Sequence, residues 1–557
     1  MDVDVVVIGS GAAGLTAANV AAKAGLKVLV LEKTRYLGGT TAFSAGGVWI
    51  PDNRCQREMG ITDSIEAARR YLRAMLGNLE EPDKIDTYLR KGPEMVDYME
   101  ANTEVVFATA CSSDYESGLD GASFGRTLLC PPFDASGLGE DLQRLRPSLP
   151  QLSLFGTLQF GFSDIGHLLN VHRSLPSFLY TTRLVLRFLG EKLRFGRGAR
   201  LANGNALVGR LVSSARTAGV TLWTGVPATE LIVEDGTVAG VVVVRDGAVL
   251  RIRARHGVIL ASGGFGANKV KRAEHIALAD AGWSLQPEGN QGDGIAMGEA
   301  VGGLFRSDNV ANAIWCPVSA MQTPQGPLLF PHLFFDRHCP GSLMVTTAGK
   351  RFINESTHYQ AFGDTMVAEN VRSCWLIADH RAQRKYGMGH AKPAPYPVFP
   401  FVQAGYLKKG RTLGELAGQI GVDAAALEAT VAEFNRHAAK GEDPLFQRGA
   451  DIYSRGMGDA QHTPNPCLAP LLEAPFFAIE IRPGDLSSVA GLDTNAEAQV
   501  LGQNGQPVPG LYAAGLDANT VFRGTYPGGG ASLGPAMTFG YVAARHIIAR
   551  VGTEGVS

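Results

Sequence analysis

The first 33 residues constrain the fold more than any other part of the chain. The apolar run from Val5 to Ile8 predicts a buried parallel strand, and the motif Gly9-x-Gly11-x-x-Gly14 opens an alanine-rich helix. A second apolar run, Val28 to Leu31, ends at Glu32. Glycines at this spacing allow a tight turn that puts a pyrophosphate on the helix N-terminus, and the acid accepts from a ribose hydroxyl. The segment therefore predicts a dinucleotide site.

The stretch after Glu32 favours FAD over NAD. Residues 33–51 contain two Gly-Gly pairs that bracket Thr40, Thr41 and Ser44, which supply hydroxyls and bare backbone along an extended cofactor. A site for NAD alone does not need this second loop. Later strands, within 223–244, 254–268 and 510–517, are expected to join the first sheet.

We expect FAD to contact residues from all of these segments. They are Gly9, Gly11, Ala12, Ala13, Gly14, Glu32, Lys33, Gly39, Thr40, Thr41, Ser44, Gly46, Gly47, Val226, Ser262, Gly263, Gly264, Asp293, Gly515, Asp517, Ser532 and Leu533.

Length and composition narrow the functional classes. The 557 residues suggest two or more domains, and the net charge of -2 gives no reason to expect nucleic acid as a partner. Seven scattered cysteines without a CxxC argue against a disulfide framework or a metal site and fit a reducing, cytoplasmic compartment. The first strand begins at Val3, which leaves no room for a signal peptide, and no run of 18 apolar residues predicts a membrane span.

The predicted fold class is α/β, with a discontinuous, Rossmann-like FAD-binding domain and an inserted α+β catalytic domain. The FAD-binding domain is expected over 1–275 and 480–557, and the catalytic domain over 276–479. Residues 140–200 read as a helical insertion. In its second half Arg183, Arg187 and Arg194 share one helical stripe, opposite Phe178, Val185 and Leu189. That pattern is compatible with peripheral membrane contact through about 175–195, or with a helix that covers the core and turns a basic face to water.

The segment GKRFINESTHYQAFGD (349–364) resembles the active-site motif of the succinate dehydrogenase/fumarate reductase flavoprotein superfamily. Fumarate reductases carry arginines where Tyr359 and Tyr526 stand here. Without these cations a dicarboxylate would lose its bidentate partners, so we expect a substrate that is neutral near the flavin. Arg523 lies close in sequence to Tyr526 and is the cation that could overturn this expectation.

The tyrosine pattern resembles the 3-ketosteroid Δ1-dehydrogenases, in NESxxY (354–359), TYPGxGA (525–531) and GPAMTFG (534–540). The resemblance implies FAD-dependent 1,2-dehydrogenation of a 3-ketosteroid. The Tyr526 hydroxyl and the Gly530 N–H would stabilise the C3 enolate oxygen, and Tyr359 would take the C2 proton while hydride leaves C1 for flavin N5. Tyr115 is placed more loosely, as the residue whose hydrogen bond lowers the pKa of Tyr359. Gly530 would let the ketone approach the amide with no Cβ in the way.

Two stretches depart from the family pattern. Leu516 and Asp517 follow GLYAAG where Asn is usual, so Asp517 is taken as the residue that faces the ribityl chain. Ser487 and Ser488 stand in GDLSSVAGL and could repolarise the pocket. The cofactor should be non-covalent, because superfamily members that tether FAD use a histidine near residues 38–47 and none precedes His167.

Two groups of alternatives stay open. The first is a 3-ketosteroid Δ4-dehydrogenase or an enone reductase of the same fold. The second is a fumarate-reductase-like flavoprotein subunit, or a dinucleotide-binding protein without catalysis. A quinone or a small carrier is expected as the electron acceptor rather than NAD, since no second nucleotide motif is visible.

Overall fold

Two sheets organise the chain in the computed structural model, which describes residues 1–172, 174–334 and 336–554. The strands are, in chain order, β1 Asp2–Ile8, β2 Val28–Glu32, β3 Val48–Trp49, β4 Ala108–Thr109, β5 Thr127–Leu129, β6 Phe133–Asp134, β7 Ser153–Leu154, β8 Leu158–Gln159, β9 Arg200–Leu201, β10 Thr221–Thr224, β11 Ala228–Glu234, β12 Thr237–Arg245, β13 Ala248–Leu260, β14 Trp283–Ser284, β15 Phe305–Arg306, β16 Ala313–Thr323, β17 Gly326–Pro331, β18 Ser342–Thr346, β19 Cys374–Ala378, β20 Lys408–Gly410, β21 Phe476–Ser488, β22 Gly491–Leu492, β23 Gln499–Leu501 and β24 Pro507–Ala513.

The helices surround these sheets. They are α1 Ala12–Lys23, α2 Arg54–Glu58, α3 Ile65–Leu76, α4 Pro82–Asn102, α5 Asp141–Arg144, α6 Phe162–Leu169, α7 Leu175–Phe195, α8 Asn203–Thr217, α9 Lys269–His275, α10 Asp293–Ala300, α11 Tyr359–Ala368, α12 His380–Tyr386, α13 Phe399–Gln403, α14 Leu413–Ile420, α15 Ala424–Ala438, α16 Ile452–Met457 and α17 Leu533–Glu554. Short 3-10 helices span Gly39–Phe43, Gly77–Leu79, Ser136–Leu138, Pro150–Leu152 and Gly515–Asp517.

The first sheet has a parallel core. Strands β10, β2, β1, β13 and β24 run parallel, and the antiparallel pair β11–β12 extends the edge beyond β13. The apolar runs of β1 and β2 are buried on both faces, as parallel sheets covered by helices require. The strands expected within 254–268 and 510–517 do join this sheet, as β13 and β24.

Glycines let three elements approach closely beneath the first turn. A Cβ on Gly14 would lie 2.1 Å from the carbonyl oxygen of Gly9, so helix α1 packs against β1 at a distance that only glycine allows. A Cβ on Gly540 would lie 2.4 Å from the carbonyl oxygen of Ala13, which brings α17 equally close to α1. The N-terminal motif and the C-terminal helix therefore form one packed unit.

The second sheet has the order β17-β16-β21-β19-β18, and β14 and β20 also pair with β21. Its strands all lie between residues 283 and 488. Its central strand, Phe476–Ser488, runs across position 480, where the sequence suggested a domain boundary. The division into two domains stays a prediction.

Helix α7 of the insertion faces differently from the expected pattern. Its buried side chains are Ser177, Leu184 and Phe188, whereas Phe178 and Leu189 are exposed. The difference arises because Leu184 and Phe188 pack with Leu158 in a small core of the insertion itself. The described part of the chain contains no helix with the length and apolar content needed to cross a bilayer.

Candidate active site

The ends of β1 and β2 form a cradle with the geometry that a dinucleotide needs. Gly9 has φ +111°, and helix α1 starts at Ala12 after Gly11, an N-cap residue without a side chain to bond the first N–H groups. A Cβ on Gly11 would meet only the Thr41 hydroxyl, at 3.6 Å, so the backbone there borders open space. The Glu32 carboxylate accepts from the Ser10 hydroxyl at 2.6 Å. A helix N-terminus with bare backbone beside an oriented carboxylate fits a pyrophosphate and a ribose.

The second glycine-rich loop lies against this cradle. The Ala12 N–H donates to Thr41 Oγ1 at 3.0 Å, and Gly39 lies beside Gly11. Thr40 Oγ1 accepts from the Asn290 side chain at 2.8 Å. The structure thus brings the two predicted loops together, which the sequence could only suggest.

Further predicted contacts surround the same strand ends. Lys33 and Asp293 form an ion pair with each other, and the Val226 N–H donates to the Glu32 carbonyl at 3.0 Å. In the second loop the Ser44 hydroxyl donates to the Thr41 carbonyl at 2.8 Å. The adjoining glycines pack against other backbone, Gly46 against Asn203 and Gly204, and Gly47 against Gly530.

Asp517 has a different position from the one expected. Its carboxylate accepts from the Ser262 N–H at 2.5 Å and from the Ser262 hydroxyl and the Gly264 N–H, both at 3.0 Å. The residue is fully buried, and burial raises the pKa of its carboxyl. Asp517 therefore fixes the turn of Ser262, Gly263 and Gly264. The residues of this segment that line the cleft are Gly515 and Leu516 instead.

A cleft runs from this segment to the C-terminal loop. Ser532 and Ala536, around the start of α17, line it together with Tyr526, while Leu533 forms the first turn of that helix. Among the described residues, two buried polar atoms of the lining have no partner, Ser487 Oγ and Asn519 Nδ2. Polar groups buried in this way call for a ligand that hydrogen-bonds. The cradle, the helix N-terminus and these unpaired atoms together fit FAD.

Three phenols meet beside the cleft, and Tyr526 is the one that lines it. The hydroxyl of Tyr115 donates to that of Tyr359 at 3.1 Å, and the ring centroids of Tyr359 and Tyr526 are 5.5 Å apart. The Ser532 hydroxyl lies 3.4 Å from that of Tyr526. All three rings are buried. The structure therefore brings together the tyrosines predicted at 115, 359 and 526, from a loop, a helix start and the C-terminal loop.

The carbonyl groups of the loop 526–530 are held by residues from the other end of the chain. The Pro527 carbonyl accepts from the Tyr115 N–H at 3.0 Å and from the Tyr71 hydroxyl at 2.8 Å. The Gly529 carbonyl accepts from Thr127 Oγ1 at 2.8 Å, and the Gly530 carbonyl accepts from the Trp49 N–H at 3.2 Å. These bonds fix the direction of the loop backbone.

Gly530 is required for a reason that the sequence did not reveal. Its φ is +98°, and a Cβ there would lie 2.4 Å from the backbone of Gly47 and Val48. The missing side chain thus makes room for the N-terminal segment rather than for a ketone. Within the described residues the Gly530 N–H donates to no acceptor, so it remains available to a ligand.

Burial dominates the electrostatics of the phenols. It raises the pKa of both Tyr359 and Tyr115 well above the ordinary value, so the pKa of Tyr359 is not lowered as expected. Tyr359 is the first residue of α11, where the helix dipole favours an anion. Next to the pair, His358 stacks on Tyr115 with 5.0 Å between ring centroids and bonds to the half-exposed Glu116 at 2.8 Å.

Arg523 is buried and forms ion pairs with neighbouring carboxylates. Its guanidinium contacts Glu81 and Asp308 at 3.0 Å each, and Nε donates to Asn309 at 2.8 Å. Lys84, the cation in the cleft lining, pairs with Glu81 and with Asp493. Arg523 and Lys84 therefore already have carboxylate partners, whereas the buried Arg337, whose charge acts to lower the pKa of Tyr115, donates to backbone carbonyls.

Sequence reasoning missed Tyr453, which has no motif around it. Its ring packs against that of Tyr115 with 4.9 Å between centroids, and its buried hydroxyl has no partner among the described residues. It also missed Glu116 and His358, although these directly follow Tyr115 and precede Tyr359 in the sequence. Adjacency to the predicted tyrosines was the signal that could have found them.

A dinucleotide cradle that opens onto buried phenols and a free backbone amide defines an FAD-dependent oxidoreductase. Residues 4–533 match the model of the FAD binding domain family, and the chain belongs to this family.

The chain is similar to three named dehydrogenases. The chain is 41% identical to a 4-oxocyclohex-2-ene-1-carboxylate 5-dehydrogenase of Sinomonas cyclohexanicum, over 98% of this chain and 93% of the relative. It is 36% identical to a 3-oxosteroid 1-dehydrogenase of Mycobacterium tuberculosis, over 99% of both chains. A crystal structure of 3-ketosteroid Δ1-dehydrogenase from Sterolibacterium denitrificans, in complex with 1,4-androstadiene-3,17-dione, superposes with a TM-score of 0.90 at 35% identity, covering 99% of this chain and 100% of that one.

Proposed function

We propose that the protein dehydrogenates 3-ketosteroids between C1 and C2, with non-covalent FAD as the electron acceptor. The observation that carries this proposal is that one anchored loop holds both the buried Tyr526 hydroxyl and the Gly530 N–H, which has no acceptor among the described residues, beside the Tyr115–Tyr359 pair. We further propose that the first sheet belongs to a discontinuous, Rossmann-like FAD-binding domain, and the second to an inserted α+β catalytic domain.

The loop prepares a ketone for loss of its neighbouring proton. Removing the C2 proton places negative charge on the C3 oxygen, and a hydroxyl and an amide that donate to this oxygen stabilise the charge. Each such donor is worth about 3 kcal/mol of barrier. Because the carbonyls of Pro527, Gly529 and Gly530 are bound elsewhere, these donors need no rearrangement in the transition state.

Tyr359 takes the C2 proton in this proposal. As a phenolate it would be held by the Tyr115 hydroxyl, which donates to it at 3.1 Å, and by the N-terminus of α11. These contributions must offset the burial that raises the pKa of Tyr359. When bound, FAD supplies the acceptor for the hydride that leaves C1.

The pairing of the nearby cations favours a neutral substrate. A carboxylate at this site would have to compete with Glu81, Asp308 and Asp493 for Arg523 and Lys84. A small cyclic ketone acid nevertheless remains the second candidate, because the relative at 41% identity is named for such a substrate. Both reactions remove hydrogen beside a ring ketone, so the tyrosine roles would be the same.

Three further assignments complete the proposal. The 3-oxosteroid 1-dehydrogenase relatives favour the Δ1 reaction over the Δ4-dehydrogenase, the enone reductase and the fumarate-reductase-like subunit. We propose a quinone as the physiological acceptor and a cytoplasmic location with peripheral membrane contact.

The test is anaerobic addition of 4-androstene-3,17-dione to the FAD-loaded enzyme. We expect the oxidised-flavin absorbance to bleach and the steroid to lose two hydrogens at C1 and C2, as mass and the position of the new double bond report. A parallel reaction with 4-oxocyclohex-2-ene-1-carboxylate separates the second candidate. The proposal would be contradicted if 4-oxocyclohex-2-ene-1-carboxylate bleached the flavin and the steroid did not. It would also be contradicted if the only reaction found were formation of a C4–C5 double bond in a saturated steroid.

A further inference from the structure

His358 contacts both segments that carry the proposed proton-transfer pair. It directly precedes Tyr359 and is the N-cap residue of α11. Its Nδ1 accepts from the Ala361 N–H at 3.3 Å, so the ring proton of the neutral imidazole lies on Nε2. Nε2 donates this proton to Oε1 of Glu116 at 2.8 Å. The residues that adjoin Tyr115 and Tyr359 in the sequence are therefore bonded to each other.

The His358 ring also restrains the ring of Tyr115. The two rings stack with 5.0 Å between centroids and 24° between planes. The Tyr453 ring meets both of them edge-on, with its centroid 4.9 Å from that of Tyr115 and 6.1 Å from that of His358. All three side chains are buried. A buried ring that is packed on two sides has little freedom to swing, so His358 limits where the Tyr115 hydroxyl can lie.

The backbone of the Tyr115 segment is anchored away from α11. The Tyr115 N–H donates to the Pro527 carbonyl at 3.0 Å, and the Glu116 N–H donates to the Tyr71 hydroxyl at 3.2 Å. These bonds hold the main chain to the C-terminal loop and to α3, and they leave the placement of the Tyr115 side chain relative to α11 to side-chain contacts. The bond from His358 to Glu116 supplies such a contact.

Helix α11 itself is fixed from another side. Gln360, the buried residue after Tyr359, accepts from the Trp315 N–H at 2.8 Å and donates to the Gly524 carbonyl at 3.2 Å. The start of the helix is thus held against β16 and the C-terminal loop without any contribution from Glu116. Loss of the Glu116 carboxylate should therefore displace the donor phenol rather than the base.

Glu116 is suited to hold the imidazole through a hydrogen bond. The hydrogen bond from His358 keeps the pKa of Glu116 below its ordinary value, so the carboxylate is ionised at neutral pH. A hydrogen bond to an ionised acceptor is stronger than one between neutral groups. The Glu116 side chain is also half-exposed. Because water screens a half-exposed charge, the carboxylate acts on the phenols through this bond rather than through its field.

From this arrangement we propose that His358 and Glu116 are positioning residues for the proton step, which hold the Tyr115 hydroxyl in hydrogen-bonding position to Tyr359. The inference rests on the proposed function, because that function makes Tyr359 the base. A misplacement of about 1 Å can cost about 100-fold in rate. Removing the link should therefore lower the rate of proton removal about 10- to 100-fold and leave KM nearly unchanged.

Deuterium uptake at C2 measures the proton step alone. The FAD-loaded enzyme is first reduced with dithionite, so that no hydride can leave C1, and is then incubated with 4-androstene-3,17-dione in D2O. We expect the wild type to place deuterium at C2, as mass and NMR report, and Glu116→Ala and His358→Asn to do so about 10- to 100-fold more slowly. Asparagine can still cap α11 but has no ring to stack on Tyr115. The steady-state kcat should fall in parallel, with KM nearly unchanged.

Glu116→Gln is the conservative variant. Its amide oxygen can still accept from the imidazole, so its deuterium uptake should stay within about threefold of the wild type. The matched control is Thr412→Ala, which removes the side chain that caps α14 by accepting from the Glu415 N–H at 3.0 Å. This control should lower the melting temperature and leave the uptake unchanged. Melting temperature and flavin content verify that every variant folds.

The inference is overturned if Glu116→Ala and His358→Asn take up deuterium as fast as the wild type. It is also overturned if Glu116→Gln is as slow as Glu116→Ala, because the charge and not the bond would then act. A wild type that places no deuterium at C2 would overturn the proposed function, and this inference with it. If only the variants depart from expectation, the proposed function stands.

Discussion

The hydroxyl groups of Tyr115 and Tyr359 lie 3.1 Å apart, although 244 positions separate the two residues in the sequence. Tyr115 donates, so its hydroxyl stabilises Tyr359 when Tyr359 loses a proton. The ring of Tyr526 lies within 6 Å of both, measured between centroids. This geometry leads to separate expectations for the three phenols.

Tyr359→Phe should abolish turnover and leave steroid binding intact, because the ring that packs against Tyr115 and Tyr526 is kept while the proton acceptor is lost. Turnover is measured with a soluble artificial acceptor, and binding by the perturbation of the flavin spectrum. Tyr396→Phe, at an exposed tyrosine, is the control. A Tyr359→Phe enzyme with near wild-type rate would remove Tyr359 from the mechanism.

Tyr115→Phe should move the pH profile of kcat to higher pH. Burial holds the pKa of Tyr359 above its ordinary value, so the phenolate fraction and the rate rise with pH. In the proposed mechanism the Tyr115 hydroxyl donates to the Tyr359 phenolate, so removing it raises this pKa and a given rate is reached only at a higher pH. A profile moved to lower pH would instead show that Tyr359 is the donor of the pair, in which case Tyr115 raises the pKa of Tyr359. An unchanged profile with a uniformly lower rate would instead indicate that Tyr115 only shapes the pocket.

Tyr526→Phe should lower kcat about 10²- to 10³-fold, the effect of losing one donor to a developing oxyanion. KM should change little, since the ring remains. Ser532→Ala, which removes the hydroxyl 3.4 Å from that of Tyr526, should cost much less. If Tyr526→Phe raised KM and left kcat unchanged, the hydroxyl would act in ground-state binding instead.

Gly530→Ala should mainly lower the free energy of unfolding. The added Cβ would collide with the backbone of Gly47 and Val48 at a residue with φ +98°, which costs about 3 kcal/mol. Gly505→Ala, at φ +74° but in open space, should cost only about 1 kcal/mol. Urea unfolding of the two variants measures the difference. Equal losses would show that the contact with Gly47 relaxes easily.

Acid should destabilise the protein through buried histidines. Burial lowers the pKa of His390 to about 4 and holds that of His338 well below its ordinary value. A depressed pKa gives stability that is complete above the unfolded value of about 6.5 and is lost as pH falls toward 4. The melting temperature, measured between pH 4 and 8, should therefore decrease as the pH is lowered from 6.5 toward 4. The decrease should be less steep in the His390→Gln variant. A profile that is flat down to pH 4 would contradict this reasoning.

Local sequence patterns predicted the elements whose structure is determined by residues close together in the sequence. The turn at Gly9–Gly14 and the strands β1 and β2 could be read directly from the residues, whereas the candidate phenols came from the resemblance to the 3-ketosteroid Δ1-dehydrogenases. The roles of Asp517 and Gly530 could not, because each is decided by backbone that lies hundreds of positions away, at Ser262 for Asp517 and at Gly47 for Gly530. The sequence also did not indicate that Glu81 and Asp308 form ion pairs with Arg523.

Helix α7 shows the limit of periodicity. The pattern correctly predicted a helix that carries cations, but an apolar stripe looks the same in the sequence whether it faces a core or water. Only the packing of Leu184 and Phe188 in the insertion settles which stripe is outside.

The catalytic loop depends on both ends of the polypeptide at once. Tyr71, Tyr115 and Thr127 are made early in synthesis, whereas the carbonyls they bind, at Pro527 and Gly529, emerge more than 400 residues later. A growing chain on the ribosome therefore carries its N-terminal segments long before the residues of this loop are synthesised. In the proposed mechanism, a prematurely terminated polypeptide that lacks this loop would have neither the Tyr526 hydroxyl nor the Gly530 N–H with which to bind a ketone oxygen.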